Sequence, residues 1–140
     1  MRLVISKKSR WKPELGEIYY YINSGALIIM RAWTNDNDDN RRYAIGNIYR
    51  TEEEAEFAIE QFKVISQLKE YADDGKEWDG DNEHWFIEYN ANEKCIRADY
   101  FLATKNIPFN IYFSSEEQAE KAIAVIGEER LKKYYFCVEE

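Results

Sequence analysis

The sequence predicts an α+β protein made of two β-β-β-α repeats, each a three-stranded antiparallel sheet with one helix packed on it. Three observations predict it. Thr51-Glu52-Glu53-Glu54-Ala55-Glu56-Phe57-Ala58-Ile59 recurs 64 residues later as Ser115-Glu116-Glu117-Gln118-Ala119-Glu120-Lys121-Ala122-Ile123, with six of nine positions identical and no gap. Both copies follow a short aromatic strand pattern, Ile48-Tyr49 in one and Tyr112-Phe113 in the other. Hydrophobic residues make up 45 % of the 140, enough to bury a core.

The expected organisation is a basic N-terminal arm over 1–15, a first repeat over 16–75 and a second over 76–140. Pro13 and Gly16 punctuate the end of the arm. Ile18 to Ile22 reads as a strand, because aromatic and β-branched side chains fit a pleated, half-buried surface. Asn23-Ser24-Gly25 reads as the hairpin loop, with Gly25 free to take positive φ, and Ala26 to Trp33 as the return strand. Asn35 to Asn40 is expected to be a polar loop and Arg41 to Tyr49 a third strand, bent at Gly46.

Thr51 is expected to cap the first helix, accepting from the Glu54 N–H while Glu54 reaches back to the Thr51 N–H. Ala55, Ala58, Ile59, Phe62, Ile65 and Leu68 follow at helical spacing and predict one apolar face, running to about Ala72. Asp73-Asp74-Gly75 ends the helix, and 73–83 is read as the linker between repeats. Trp85 to Tyr89, Cys95 to Ala103 and Pro108 to Phe113 then read as three strands. Ser115 caps a second helix with Gln118 completing its box, and Ala119, Ala122, Ile123 and Ile126 form its inner face. Gly127 breaks that helix, and Tyr134 to Val138 reads as a terminal strand.

Net charge is −8 and the charge is unevenly placed. Residues 1–13 hold Arg2, Lys7, Lys8, Arg10 and Lys12 and no acid, whereas the remainder holds 14 basic and 27 acidic side chains. Such a body repels phosphates, which argues against direct nucleic-acid binding. The arm is read either as a tail or as a segment lying against the acidic body, its own or a neighbour's. Cys95 and Cys137 lack a metal or redox spacing and read as reduced core residues of a cytoplasmic protein. No apolar run is long enough to span a membrane, and none reads as a signal peptide.

No catalytic signature is present, so the chain is read as a non-enzyme with no cofactor and no metal. The acidic segment from Asp36 lacks the Gly and Glu that a calcium loop requires at its strictest positions, and the one from Asp79 has no helix leading into it. His84, the single histidine, could act as a general base beside Glu83 or Asp81, but its place next to Trp85 at a strand start suits packing. Two candidate sites remain. An acidic, aromatic-bearing face of Asp36, Asp38, Asp39, Trp33, Asp73, Asp74, Trp78, Asp79 and Asp81 would bind a basic protein surface. Alternatively, Arg31, Arg41, Arg42, Arg97 and Tyr20 would hold the phosphates and base of a small nucleotide. A third reading is an oligomerising module, a homodimer being the simplest form.

Trp11-Lys12-Pro13, Leu15-Gly16-Glu17-Ile18-Tyr19-Tyr20-Tyr21-Ile22, Trp33, Asp38 or Asp39, Arg42-Tyr43, Gly46-Asn47 and Thr51-Glu52-Glu53-Glu54-Ala55 together form a pattern over residues 11–72. It resembles small accessory proteins of bacterial phages, prophages and other mobile elements. The second half keeps only the helix junction. The resemblance implies a counter-defence or host-takeover role: inhibition of a host defence protein, such as a CRISPR-associated nuclease, in the bacterial cytosol. It transfers no catalytic residue.

Overall fold

A hairpin, a one-residue bridge and a capped helix follow one another twice along the chain. In the computed structural model, residues 10–72, 83–101 and 111–139 are described. β1 (Ile18–Ile22) pairs antiparallel with β2 (Ile28–Ala32), and β3 (His84–Asn90) with β4 (Cys95–Phe101). The helices are α1 (Asn37–Ala44), α2 (Glu52–Tyr71), α3 (Glu116–Ile126) and the short α4 (Glu128–Arg130), followed by a π-helical turn at Leu131–Tyr135. The protein is therefore α+β, and the described residues form two small two-stranded antiparallel sheets and four helices. Among the described residues no helix is long and apolar enough to cross a membrane.

Among the described residues no third strand forms, and each copy has a one-residue bridge at that point. Tyr49 exchanges two backbone hydrogen bonds with Tyr20, both 2.9 Å, and Phe113 does so with Trp85, at 3.2 and 2.8 Å. Each bridging residue sits two positions before the helix-capping Thr51 or Ser115. The duplication thus preserves one ladder rung and the helix that follows it. Arg41 to Tyr49 does not form a strand because α1 takes up its first residues. Asp36 caps α1, its carboxylate accepting from the Asp39 N–H at 2.8 Å, and acids in the first turn face arginines in the last, as the helix dipole favours. The Asn35–Asn40 segment is accordingly a helix start and not a loop. Residues 102–110 of the remaining expected strands, and 73–82 of the expected linker, lie outside the described residues.

Thr51 Oγ1 accepts from the Glu54 N–H at 3.2 Å, as expected. The Glu54 carboxylate instead accepts from the Arg50 N–H at 3.0 Å, one residue short of the expected box. Ser115 Oγ accepts from the Gln118 N–H at 3.2 Å. In the first hairpin, Asn23 Oδ1 accepts from the N–H groups of Gly25 and Leu27, both at 2.9 Å, and the residue with positive φ is Ala26 (62°), not Gly25. Tyr134 to Val138 is not a strand: its first residues complete the π-helical turn, and Cys137 has φ 53°.

The chain divides into two compact units, one ending at Ile59 and the other beginning at Glu60, so the division falls inside α2. The second unit has an apolar core. Val64 and Leu68 of α2 meet Ile87, Ile96, Phe113, Ala119, Ala122, Ile123, Ile126 and Leu131. The α3 face is as expected, and it packs on β3 and β4. On α2, Ala55, Ala58 and Leu68 are buried as expected, but Phe62 is exposed and Val64 lies inside. The first unit buries Tyr19, Trp33, Ala55 and Ala58, and with them a carboxylate, Asp39.

Candidate functional site

The first unit is organised around that carboxylate. Asp39 sits in the first turn of α1 with 0 % of its surface exposed. An isolated buried carboxylate would take up a proton, so its partners decide its state. The Tyr19 hydroxyl, from β1, donates to Oδ1 at 2.5 Å. The N–H and hydroxyl of Thr34 donate to Oδ2 at 2.8 and 3.1 Å. Arg31 Nε of β2 lies 3.2 Å from Oδ1 and Arg42 Nη1 lies 3.7 Å from it. Burial pushes the Asp39 carboxyl upward, but the Tyr19 and Thr34 hydrogen bonds outweigh it and hold it down at about 2. The Tyr19 phenol is pushed up to about 12, first by burial and then by its bond to Asp39. At neutral pH the pair is therefore a neutral phenol donating to an ionised carboxylate.

Around this centre the arginines pair with acids, although the buried Arg31 Nε makes no hydrogen bond. Arg31 also pairs with Asp36. The Arg42 guanidinium donates to the Tyr19 hydroxyl at 3.0 Å and lies 3.8 Å from the centre of the Tyr21 ring. Arg41 lies 3.7 Å from Asp38 on the exposed side of α1. In the other unit Arg97 donates to Glu88 at 2.5 Å across the β3–β4 ladder.

The two candidate sets read from the sequence therefore meet each other. Asp36, Asp38 and Asp39 of the acidic set are paired with Arg31, Arg41 and Arg42 of the basic set. Asp39 and Trp33, the latter 3 % exposed, are buried and offer no surface to a partner. Trp33 packs edge-on against Tyr19, ring centres 5.8 Å apart. Tyr20 is held at the bridge to Tyr49, so its backbone serves the fold. Asp73, Asp74, Trp78, Asp79 and Asp81 lie outside the described residues. His84 is buried at the start of β3, with its ring 6.1 Å from Tyr112 and 6.3 Å from Phe101. Among the described residues no group of three or more His, Cys, Asp or Glu is placed to hold a metal ion.

Sequence reasoning missed the structural use of the first-half pattern. Gly46 leaves α1 with φ 77°, a conformation an L side chain rarely adopts. The Asn47 amide then pairs with the backbone of Ile22 as a strand residue would, accepting from its N–H at 2.9 Å and donating to its C=O at 2.7 Å. The described end of the basic arm lies on aromatic rings, not on carboxylates. The Arg10 guanidinium is 4.2 Å from the Tyr43 ring centre and donates to the Tyr43 carbonyl at 3.0 Å. Lys12 Nζ lies 5.1 Å from the Tyr43 ring and 5.6 Å from the Trp33 ring, and the Arg50 guanidinium lies 5.1 Å from that of Trp11. Nearly every residue of the pattern thus has a partner within the first unit. The signal available in advance was the Asp36-x-x-Asp39 spacing, a capping pattern without an apolar run behind it.

Uncompensated acid lies elsewhere. Glu52, Glu53 and Glu56 on the first turns of α2 are exposed, and among the described residues no lysine or arginine pairs with them. Glu116, Glu117 and Glu120 repeat this on α3.

Fold and site together define a small α+β protein with two hairpin–helix units, one stabilised by a buried ion-pair network and the other by an apolar core. No protein-family model, no curated protein and no solved structure matches the chain.

Proposed function

We propose that the protein is a non-catalytic binding protein that engages the basic, nucleic-acid-binding surface of a protein partner. The observation that carries this is the unpaired, exposed acid of the α2 start, at Glu52, Glu53 and Glu56. The helix dipole favours carboxylates at that end, and these acids suit it without a neighbouring cation. A fixed row of carboxylates on a rigid helix accelerates encounter with a positive groove and competes there with phosphates. The aspartates of α1 contribute less, because their charge is matched within the fold.

The likeness of residues 11–72 to mobile-element accessory proteins supports a setting in the bacterial cytosol, where the partner would be a host defence protein such as a CRISPR-associated nuclease. The nucleotide-binding alternative is weakened by the engagement of Arg31, Arg42 and Arg97 with Asp36, Asp39 and Glu88.

The test is capture of host nucleic-acid-processing proteins by the full chain, with competing DNA and graded salt. Capture that falls with both, and that is lost when Glu52, Glu53 and Glu56 are replaced by Lys, is the expected result. Capture that survives salt, competitor and charge reversal alike overturns the reading.

A further inference from the structure

Among the described residues, the β1–β2 hairpin has one occupied edge and one open edge. Tyr20 spends its backbone N–H and C=O on Tyr49, and Ile22 spends both of its own on Asn47. These residues turn outward from β1, so the ladder rungs of the hairpin are Tyr19 with Arg31 and Tyr21 with Ile29. It follows that Ile28, Met30 and Ala32 aim their backbone groups away from β1. No hydrogen bond joins these groups to described residues outside the hairpin. Their side chains share one face with Ile18, Tyr20 and Ile22, since alternate residues share a face. That face is apolar and open: Met30 is 63 % exposed and Ile18 44 %.

Open edges are normally guarded by lysine, proline or a bulge. β2 has none of these, and its one charged residue, Arg31, is turned to the opposite face and held by Asp36 and Asp39. β4 differs. Its Ile96 is buried under the α3 layer, while Arg97 and Asp99 alternate on the other face.

We propose that the β2 edge is a self-association site, where a second copy of this chain adds its own β2 antiparallel across a two-fold axis at Met30. The register is self-complementary. Met30 faces Met30 of the second copy, and Ile28 faces Ala32 in both directions. Each of these pairs exchanges two N–H···O bonds. On the opposite face Arg31 meets Ile29, so no like charges oppose each other. The product is a four-stranded sheet, order β1-β2-β2-β1, with one continuous apolar face. An isologous contact of this kind closes at two copies. The site is independent of the acidic helix starts, and the inference does not rest on the binding role proposed for them.

The test is sedimentation equilibrium of the full chain and of Met30→Lys and Met30→Glu, alone and mixed. The wild type is expected at twice 16.7 kDa at high concentration. Each variant alone puts like charges on the axis and is expected to raise the dimer dissociation constant about tenfold or more. The equimolar mixture is expected to dimerise again, which also shows that both variants are folded. A wild type that stays at 16.7 kDa, variants that dimerise as the wild type does, or a mixture that fails to re-form the dimer would each overturn the proposal.

Discussion

The two units share a helix start and differ in what fills them. In the second, Leu131, Phe113, Leu68 and the α3 face form a core of apolar side chains. In the first, the largest fully buried side chains are Tyr19 and Asp39, and the arginines around them complete the interior. Apolar packing tolerates rearrangement, because any side chain of suitable volume fills the space. A buried carboxylate tolerates little, because every lone pair needs a donor of fixed position. The first unit therefore spends Tyr19, Arg31, Thr34, Asp36 and Arg42 on one oxygen pair, and its sequence carries a pattern that the second lacks. The lesson is that a dense motif can mark a demanding interior and not a binding surface.

Replacing the centre of each unit breaks the comparison most sharply. Asp39→Ala removes the anion shared by Tyr19, Arg31 and Arg42, leaving Arg31 only Asp36, and is expected to cost about 3–5 kcal/mol. Leu131→Ala is expected to cost about 2–5 kcal/mol through the cavity it leaves. Urea denaturation at several pH values separates them. The Leu131→Ala loss should not vary with pH, whereas the Asp39→Ala loss should shrink in acid.

Asn47→Ala probes the same unit at its edge. It strips both backbone partners from Ile22, and about 1–3 kcal/mol is expected for each group left unsatisfied where water cannot replace it. Hydrogen exchange of the Ile22 amide reads this locally: its protection should fall while that of Ile87 stays. Equal loss at both would show that Asn47 acts on the whole chain and not on one hairpin.

The helix caps are the smallest effect and the sharpest test of likeness. Thr51→Ala and Ser115→Ala each remove one N-cap acceptor, and each is expected to cost about 1 kcal/mol. Their losses should agree within a few tenths, since the repeat preserves the cap whatever fills the unit behind it. A loss at one site only would mean that the duplication is one of sequence and not of energetics.

Local signals were legible and non-local ones were not. Both hairpins, α2, α3 and the two capping hydroxyls follow from alternation, helical spacing and a Ser or Thr three residues before Glu or Gln. α1 was hidden because Asn37-Asp38-Asp39-Asn40-Arg41-Arg42 has the composition of a loop. Its stability comes from Asp36 at the cap, from the dipole and from Asp39 reaching Tyr19, twenty residues away in sequence. The first third strand was over-read, since Tyr49 has strand chemistry but only one rung, and among its described residues the second shows one rung too, at Phe113. Tyr134 to Val138 was over-read for the same reason: aromatic content favours strands, yet helical hydrogen bonds from Gly127 onward carry the chain into a π-turn. The charged candidates were individually visible, but nothing in their spacing said that the acids and arginines would neutralise one another.

The ionisation of the central pair gives the pH behaviour its sign. Asp39 is depressed from 3.8 to about 2, so its contribution is present above pH 4 and is lost as pH falls through about 2. Tyr19 is raised from 10.0 to about 12, so the neutral phenol stabilises the fold below pH 10, and that contribution fades as pH rises toward 12. The most direct measurement is the carbon-13 titration of the Asp39 side-chain carboxyl in the folded protein. A midpoint near 2 that moves upward in Tyr19→Phe is the expected result, because that variant removes the strongest donor. A midpoint near 3.8, unchanged by Tyr19→Phe, would mean that Asp39 faces water, and that the first unit is not built around it.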